Sequence, residues 1–375
     1  MLTPLALECC RAKPNPEVLR RMASESLDWQ AFEASAARHK VESLIFWSLE
    51  RAGAGPVDVR RRLRIAFDRQ TKRNLYFAAG LMRALALLRE AGVAAVPFKG
   101  PAVAWTLYEV PGLRPMSDLD LLIPEADARR SIEALLSGGY QRLFSEADYR
   151  LYAHKGELQF VDPDGRIAID LHWRLASDYL GGLDASAFLS RLRRAAISGE
   201  MVDVFGLEDL LLFLCVHGGK HGWPSLLLVC DLARLIAAGG LDWNAVESRA
   251  REARVSRFVS LGILLAVDLL EAEVPPDVRE RIAADSQVVR LQKDIQARLL
   301  SGRFPTPSES LKDEFRLVGP LDRLRMGAHY LRPNPSDWDS LPMPAFLFPV
   351  YYLTRPFRLA WNWGARRAGR APGSG

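Results

Sequence analysis

The sequence predicts an α+β fold: a mixed sheet core with a helical N-terminal extension before it and a helical domain after it. Three observations carry this. Helical periodicity fills residues 1–92, short apolar runs separated by proline and glycine follow, and helical periodicity returns after residue 206. The 375 residues, 49% hydrophobic and 25% charged, have ordinary globular composition and length enough for more than one domain.

Taken in order, Glu17 to Glu50 breaks into short amphipathic pieces at Pro16, Asp28 and Lys40. From Val57 to Glu90, Leu63, Ile65, Phe67, Leu75, Leu81, Leu85 and Leu88 sit among charges at helical spacing, and Gly92 is the stop. Val93 to Phe98 reads as a buried strand. Lys99-Gly100-Pro101 makes a turn, and Pro101 opens a helix running to Tyr108. Glu109 to Pro115 is a loop. Asp118 to Ile123 is a strand ended by Pro124, and Glu125 to Ser137 a helix closed by Gly138-Gly139. Glu157–Val161 and Arg166–Trp173 flank Asp162-Pro-Asp-Gly165, whose proline and glycine signal a hairpin. The connections are too irregular for a doubly wound sheet, so pairing is mixed or antiparallel. Further helices are expected at 207–217, 226–238, 242–253, 257–271 and 288–300. The resulting parts are a helical extension (1–92), the sheet core (93–205), a helical domain (206–331), and a proline-rich linker with a basic, aromatic arm (332–375).

Lys and Arg exceed Asp and Glu by 50 to 45, and the excess has an address. From Ser340 onward there is no acid, only Arg355, Arg358, Arg366, Arg367 and Arg370. The body is neutral, and aromatics and basic residues are not interleaved in it, so no nucleic-acid partner is expected. The four cysteines form no C-x-x-C pair, the N-terminus lacks a basic region ahead of an apolar one, and no apolar run nears the roughly 20 residues of a membrane span. A reduced, cytoplasmic protein is expected. The arm from Pro344 to Trp363 admits two readings: packing onto the body, or weak contact with an anionic inner-membrane surface.

The chemistry concentrates at Ser117-Asp118-Leu119-Asp120. On a strand Asp118 and Asp120 project from one face, and two close carboxylates repel unless a proton or cation lies between them. Mg²⁺, or Mn²⁺, suits oxygen ligands and accepts phosphates in its shell. Asp170, amid Ile169 and Leu171, needs a partner or a metal. The Lys99-Gly100 turn is a phosphate cradle, and Arg114 and Ser117 lie in the loop entering the acidic pair. His172 shares a face with Asp170 and is either an acceptor or phosphate contact or a packed structural residue. His217 and His221 have i, i+4 spacing. The intervening Gly218-Gly219 weakens a helix and no H-E-x-x-H pattern exists, which argues against zinc. Lys220 with those two histidines would close over phosphates, and the competing reading is a solvated helix end. Asp231 is read as a packing partner for that segment. His39, His154 and His329 carry no motif, and no G-x-S-x-G, Walker A or Rossmann fingerprint is present.

Phe98-Lys-Gly-Pro-Ala-Val-Ala-Trp-Thr-Leu-Tyr108 followed by Gly112-Leu-Arg-Pro-Met-Ser-Asp-Leu-Asp-Leu-Leu-Ile123 resembles the core of the nucleotidyltransferase superfamily, which has a DNA polymerase β-like core. More narrowly it is similar to the bacterial branch termed uncharacterised nucleotidyltransferase family protein. Asp170-Leu-His-Trp173, His217-Gly-Gly-Lys-His-Gly-Trp223, Cys230-Asp-Leu-Ala233 and Leu353-Thr-Arg-Pro-Phe-Arg358 extend the resemblance over most of the chain beyond about residue 70. The resemblance implies a nucleotidyltransferase-type mixed sheet, with Asp118 and Asp120 binding two metals and Asp170 completing the second site. It implies Mg²⁺-dependent transfer of a nucleoside monophosphate from an NTP to an unknown acceptor hydroxyl or phosphate. Such proteins often accompany surface-polysaccharide or modified-peptide biosynthesis. The alternative is a catalytically idle nucleotide- or phosphate-binding partner protein of the same fold. One departure stands out: where the superfamily has Gly-Gly or Gly-Ser, this chain has Lys99-Gly100-Pro101, which offers a charge for a hydroxyl and removes an N–H donor.

Overall fold

The computed structural model describes residues 1–143, 156–176, 183–332, 343, 350–355 and 358. Helices α1 (Pro4–Cys10), α2 (Pro16–Ala23) and α3 (Trp29–Arg38) start at Thr3, Asn15 and Asp28, whose side chains accept hydrogen bonds from first-turn N–H groups. Then come α4 (Glu42–Ala52) and the long α5 (Val57–Glu90). Helices of one to three turns are marginal alone and must bury a face elsewhere. Leu5, Ile45 and Leu49 do so in one hydrophobic core with Leu211, Trp223, Phe258 and Leu265 from the C-terminal half. The Leu2 N–H donates to the Leu300 carbonyl at 2.8 Å. The first helices and the last thus share an interior.

Helix α5 links that core to a second one beneath the sheet. Val59 and Leu63 belong to the first; Phe77, Leu81, Ala84 and Leu88 pack under Leu119, Leu121, Ile169 and Leu171. Ile65 and Leu75, apolar in the helical pattern, are exposed.

The sheet comprises β1 (Val96–Pro97), β2 (Asp118–Leu122), β3 (Gln141–Arg142), β4 (Glu157–Val161) and β5 (Ala168–His172), in the order β1-β2-β5-β4-β3. β2 and β5 are parallel neighbours and the other pairings are antiparallel, so the sheet is mixed. α6 (Pro101–Leu107) follows β1, and α7 (Ala128–Ser137) follows β2. The β4–β5 hairpin turns at Asp162, whose Oδ1 accepts from the N–H groups of Arg166 at 2.7 Å and Ile167 at 2.9 Å.

After α8 (Ala185–Leu189), β6 (Leu192–Ile197) and β7 (Glu200–Phe205) form a separate hairpin. Its turn residues Ser198 and Gly199 both have positive φ, the geometry that matches strand twist in a two-residue loop. The Phe205 ring stacks on Phe98 at 5.5 Å, tying this hairpin to the Lys99 turn.

The C-terminal helices are α9 (Leu207–Lys220), α10 (Leu226–Ala237), α11 (Trp243–Glu252), α12 (Ser256–Leu270), α13 (Pro276–Ala283), α14 (Ser286–Ser301), α15 (Pro307–Leu317) and α16 (Pro320–Leu331). Gly218 and Gly219 do not break α9. A Cβ at Gly218 would lie 2.6 Å from the buried Trp223 ring, and one at Gly219 2.5 Å from Phe258, so close packing is their reason.

Among the described residues no helix is long and apolar enough to cross a membrane. The four cysteines are buried thiols. Most of the linker and arm, with both readings offered for it, lies outside the described residues. Its helical turn 350–355 packs back: Tyr351 is buried, and Arg355 Nε donates to the Tyr330 carbonyl at 2.8 Å.

Candidate active site

Strand alternation sends Leu119 and Leu121 into the core under the sheet and Asp118 and Asp120 to the opposite face. β5 repeats the pattern, with Ile169 and Leu171 beneath and Asp170 and His172 above. The parallel register sets Asp120 directly opposite Asp170. Two residues 50 positions apart thereby become cross-strand neighbours.

Asp120 is 2% exposed. Its Oδ1 accepts from Lys99 Nζ at 2.6 Å and lies 3.3 Å from His172 Nε2. Its Oδ2 and Asp170 Oδ1 are buried without a partner. Burial alone would raise the Asp120 carboxyl, but Lys99 and His172 outweigh it and hold the group well below the usual carboxylate range. At Asp170 burial and the Asp120 charge raise the carboxyl to about 6. Burial and Asp120 also raise Asp118. These orphaned oxygens fit a divalent cation, which would supply the charge both carboxylates lack. Ligand atoms of Asp120, Asp170 and His172 lie within 4.8 Å of one another.

The Lys99 turn is held tightly. Gly100 has φ +48°, and a Cβ there would stand 3.1 Å from the Asp118 carbonyl, so the turn needs glycine to approach β2. Lys99 also lies over the Phe98 and Phe213 rings, at 5.4 and 5.7 Å. Phe98 meets the His172 imidazole edge-on at 5.2 Å.

Beside the carboxylates opens a cleft of about 300 Å³, lined by Phe98, Lys99, Glu157, His172, Arg174, Phe213, His217, Lys220, His221 and His329 among others. Lys99 and His172 border both cleft and carboxylates. The end of α9 contributes His217, stacked on Phe213 at 5.8 Å, and His221, whose ring is 4.7 Å from that of His217. Burial, Lys99 and His221 push the His217 imidazole well below its ordinary value, while burial lowers the Lys220 ammonium. Burial and Lys220 lower His221. Nitrogen bases dominate this wall, and an entering anion would favour their charged forms.

Ser117, next to Asp118, is exposed and is not among the residues lining the cleft. Arg114 goes elsewhere than phosphate. It is buried, and its Nε and Nη2 donate to Asp231 Oδ1 and Oδ2, each at 2.9 Å. The expected phosphate contact is thus a structural ion pair joining loop 109–117 to α10, because that helix places a buried carboxylate within its reach. Asp231 also accepts from Tyr108 Oη at 2.6 Å. Asn74, unremarked in the sequence, fixes the same loop: its Nδ2 donates to the Pro111 and Arg114 carbonyls at 2.6 and 2.8 Å. Glu157, Arg174 and His329 also escaped sequence reasoning. For Glu157 the available signal was its strand, which pairs it with His172.

The family model described as uncharacterised nucleotidyltransferase matches residues 25–271, from the N-terminal helices to the end of α12. No curated protein and no solved structure matches the chain.

Proposed function

Because the chain belongs to the uncharacterised nucleotidyltransferase family, we propose that it moves a nucleoside monophosphate from an NTP to an acceptor hydroxyl or phosphate. The observation that carries this reading is the pair Asp120 and Asp170, facing each other across parallel strands with one buried, unpartnered oxygen each. Divalent cations, Mg²⁺ or Mn²⁺, held by Asp118, Asp120 and Asp170 would polarise the α-phosphate and offset the charge of departing pyrophosphate.

The chain's own residues do the rest. Lys99, which neutralises Asp120 in the resting chain, turns to the triphosphate. His217, Lys220, His221 and Arg174 line the cleft where phosphates would lie. Asp170 would help orient the acceptor hydroxyl and accept its proton. The acceptor oxygen bonds to the α-phosphorus as the bond to the bridging oxygen breaks, and pyrophosphate leaves.

Pyrophosphate release from each NTP with Mg²⁺ or Mn²⁺ tests this; Asp120→Asn is expected to abolish it while the protein stays folded. Unchanged release would refute the assignment. Nucleotide binding without any release would favour the catalytically idle partner protein, a reading to which Lys99 on Asp120 and the missing N–H of Pro101 lend weight.

A further inference from the structure

We propose that the resident cation is held by Asp120, Asp170 and the imidazole of His172, and that this mixed set selects a first-row transition ion such as Mn²⁺ over Mg²⁺. The inference rests on the nucleotidyl-transfer reading and narrows it. Its starting point is geometric: the three side chains bring ligand atoms within 4.8 Å of one another, and Asp118 is not among them. Strand register explains the grouping, since Asp120 faces Asp170 and His172 follows two residues along β5 on the same face.

An independent observation is the state of the oxygens. Asp120, 2% exposed, leaves Oδ2 without a donor, and Asp170 Oδ1 beside it is also buried and unpartnered. Lys99 engages only Asp120 Oδ1. A buried carboxylate oxygen without a donor is costly, and a cation between the two strands would remove that cost at both.

His172 is built as a ligating histidine is. It is 8% exposed, and its Nε2 lies 3.3 Å from Asp120 Oδ1. Its other nitrogen, Nδ1, lies 3.6 Å from Glu157 Oε2. A carboxylate on the side of the second nitrogen, with the first turned to the acidic pair, is the arrangement that ligating histidines have. The selection follows from chemistry: Mg²⁺ takes oxygen ligands and retains its waters, whereas first-row transition ions accept an imidazole nitrogen, Mn²⁺ least strongly and Fe²⁺ to Zn²⁺ more so.

Spin-echo envelope modulation of Mn²⁺ bound to the full-length protein tests this. The wild type is expected to show ¹⁴N coupling from one coordinated imidazole, replaced by the ¹⁵N pattern in protein grown on [¹⁵N]histidine and absent in His172→Gln. By calorimetry His172→Gln is expected to lose at least about tenfold in Mn²⁺ affinity and less than about threefold in Mg²⁺ affinity. Bound Mn²⁺ without nitrogen coupling, lost instead in Asp118→Asn, overturns the inference and leaves nucleotidyl transfer standing. Binding of neither ion, together with no pyrophosphate release, overturns both. The isotope comparison needs no substitution, so a misfolded variant does not rescue the proposal.

Discussion

At Asp231 each carboxylate oxygen has a donor: Tyr108 and Arg114 Nε share Oδ1, and Arg114 Nη2 takes Oδ2. At Asp120, Lys99 and His172 converge on Oδ1, while Oδ2 and the neighbouring Asp170 Oδ1 meet nothing. Both clusters are buried, and one loop, 109–117, separates them. Saturation divides their work. A closed cluster holds α10 against loop 109–117, whereas an open one keeps a cost that only a ligand relieves.

The largest effects should come from the open cluster. Asp170→Asn is expected to lower pyrophosphate release by about a thousandfold or more, as loss of a principal transition-state contact does. Measured in chelator without added metal, its thermal midpoint should hold or rise, because a desolvated, repelled carboxylate has been removed. A large fall in midpoint would place Asp170 with the closed cluster.

The closed cluster should answer in the opposite way. Arg114→Met leaves a buried carboxylate uncompensated and is expected to cost about 3–5 kcal/mol in urea unfolding. Pairing it with Asp231→Leu should recover much of that loss, since a buried ion pair replaced by apolar side chains is often neutral. Equal losses in the single and double variants would show that the pair itself, and not the orphaned charge, sets the stability.

What was legible in the sequence follows the range of the interactions. Period-two alternation along a strand is local, so Asp118 with Asp120, and Asp170 with His172, could each be assigned to one face from neighbours alone, whereas the meeting of the two pairs rests on the parallel register of β2 and β5. The destination of Arg114 was not legible, because Asp231 lies 117 positions away and only tertiary packing brings them together. The same holds for the union of the first and last helices in one core. The β6–β7 hairpin was missed for another reason. Arg193-Arg194 and Ala195-Ala196 blur its alternation, and only the Ser198-Gly199 turn marked it.

A third test titrates the contrast. In the folded chain stripped of metal the Asp170 carboxyl is raised from 3.8 to about 6. Between those values the native state holds a proton that the unfolded state has released, so this contribution to stability falls as pH rises through the window and stays low above it. Asp170→Asn lacks the term. Its stability relative to wild type should therefore climb by on the order of 1–2 kcal/mol between pH 4 and 6.5, after discounting for partial exposure. A flat difference across that range would mean the carboxyl behaves as a solvated one and the cluster is not open.

The smallest expected effect on turnover probes the loop between the clusters. Asn74 is fully buried, and its side-chain amide supplies the donors for the Pro111 and Arg114 carbonyls. Asn74→Ala removes both, which should cost about 1–3 kcal/mol by chemical denaturation. The Arg114–Asp231 pair still clamps the far side of the loop, so the entry of the chain into β2 should persist. Pyrophosphate release is then expected to change by less than about tenfold, far below the loss at Asp170. If release instead falls as far as in Asp170→Asn, loop position and carboxylate geometry are one unit. The separation of a structural cluster from a chemical one would then fail at the residue that joins them.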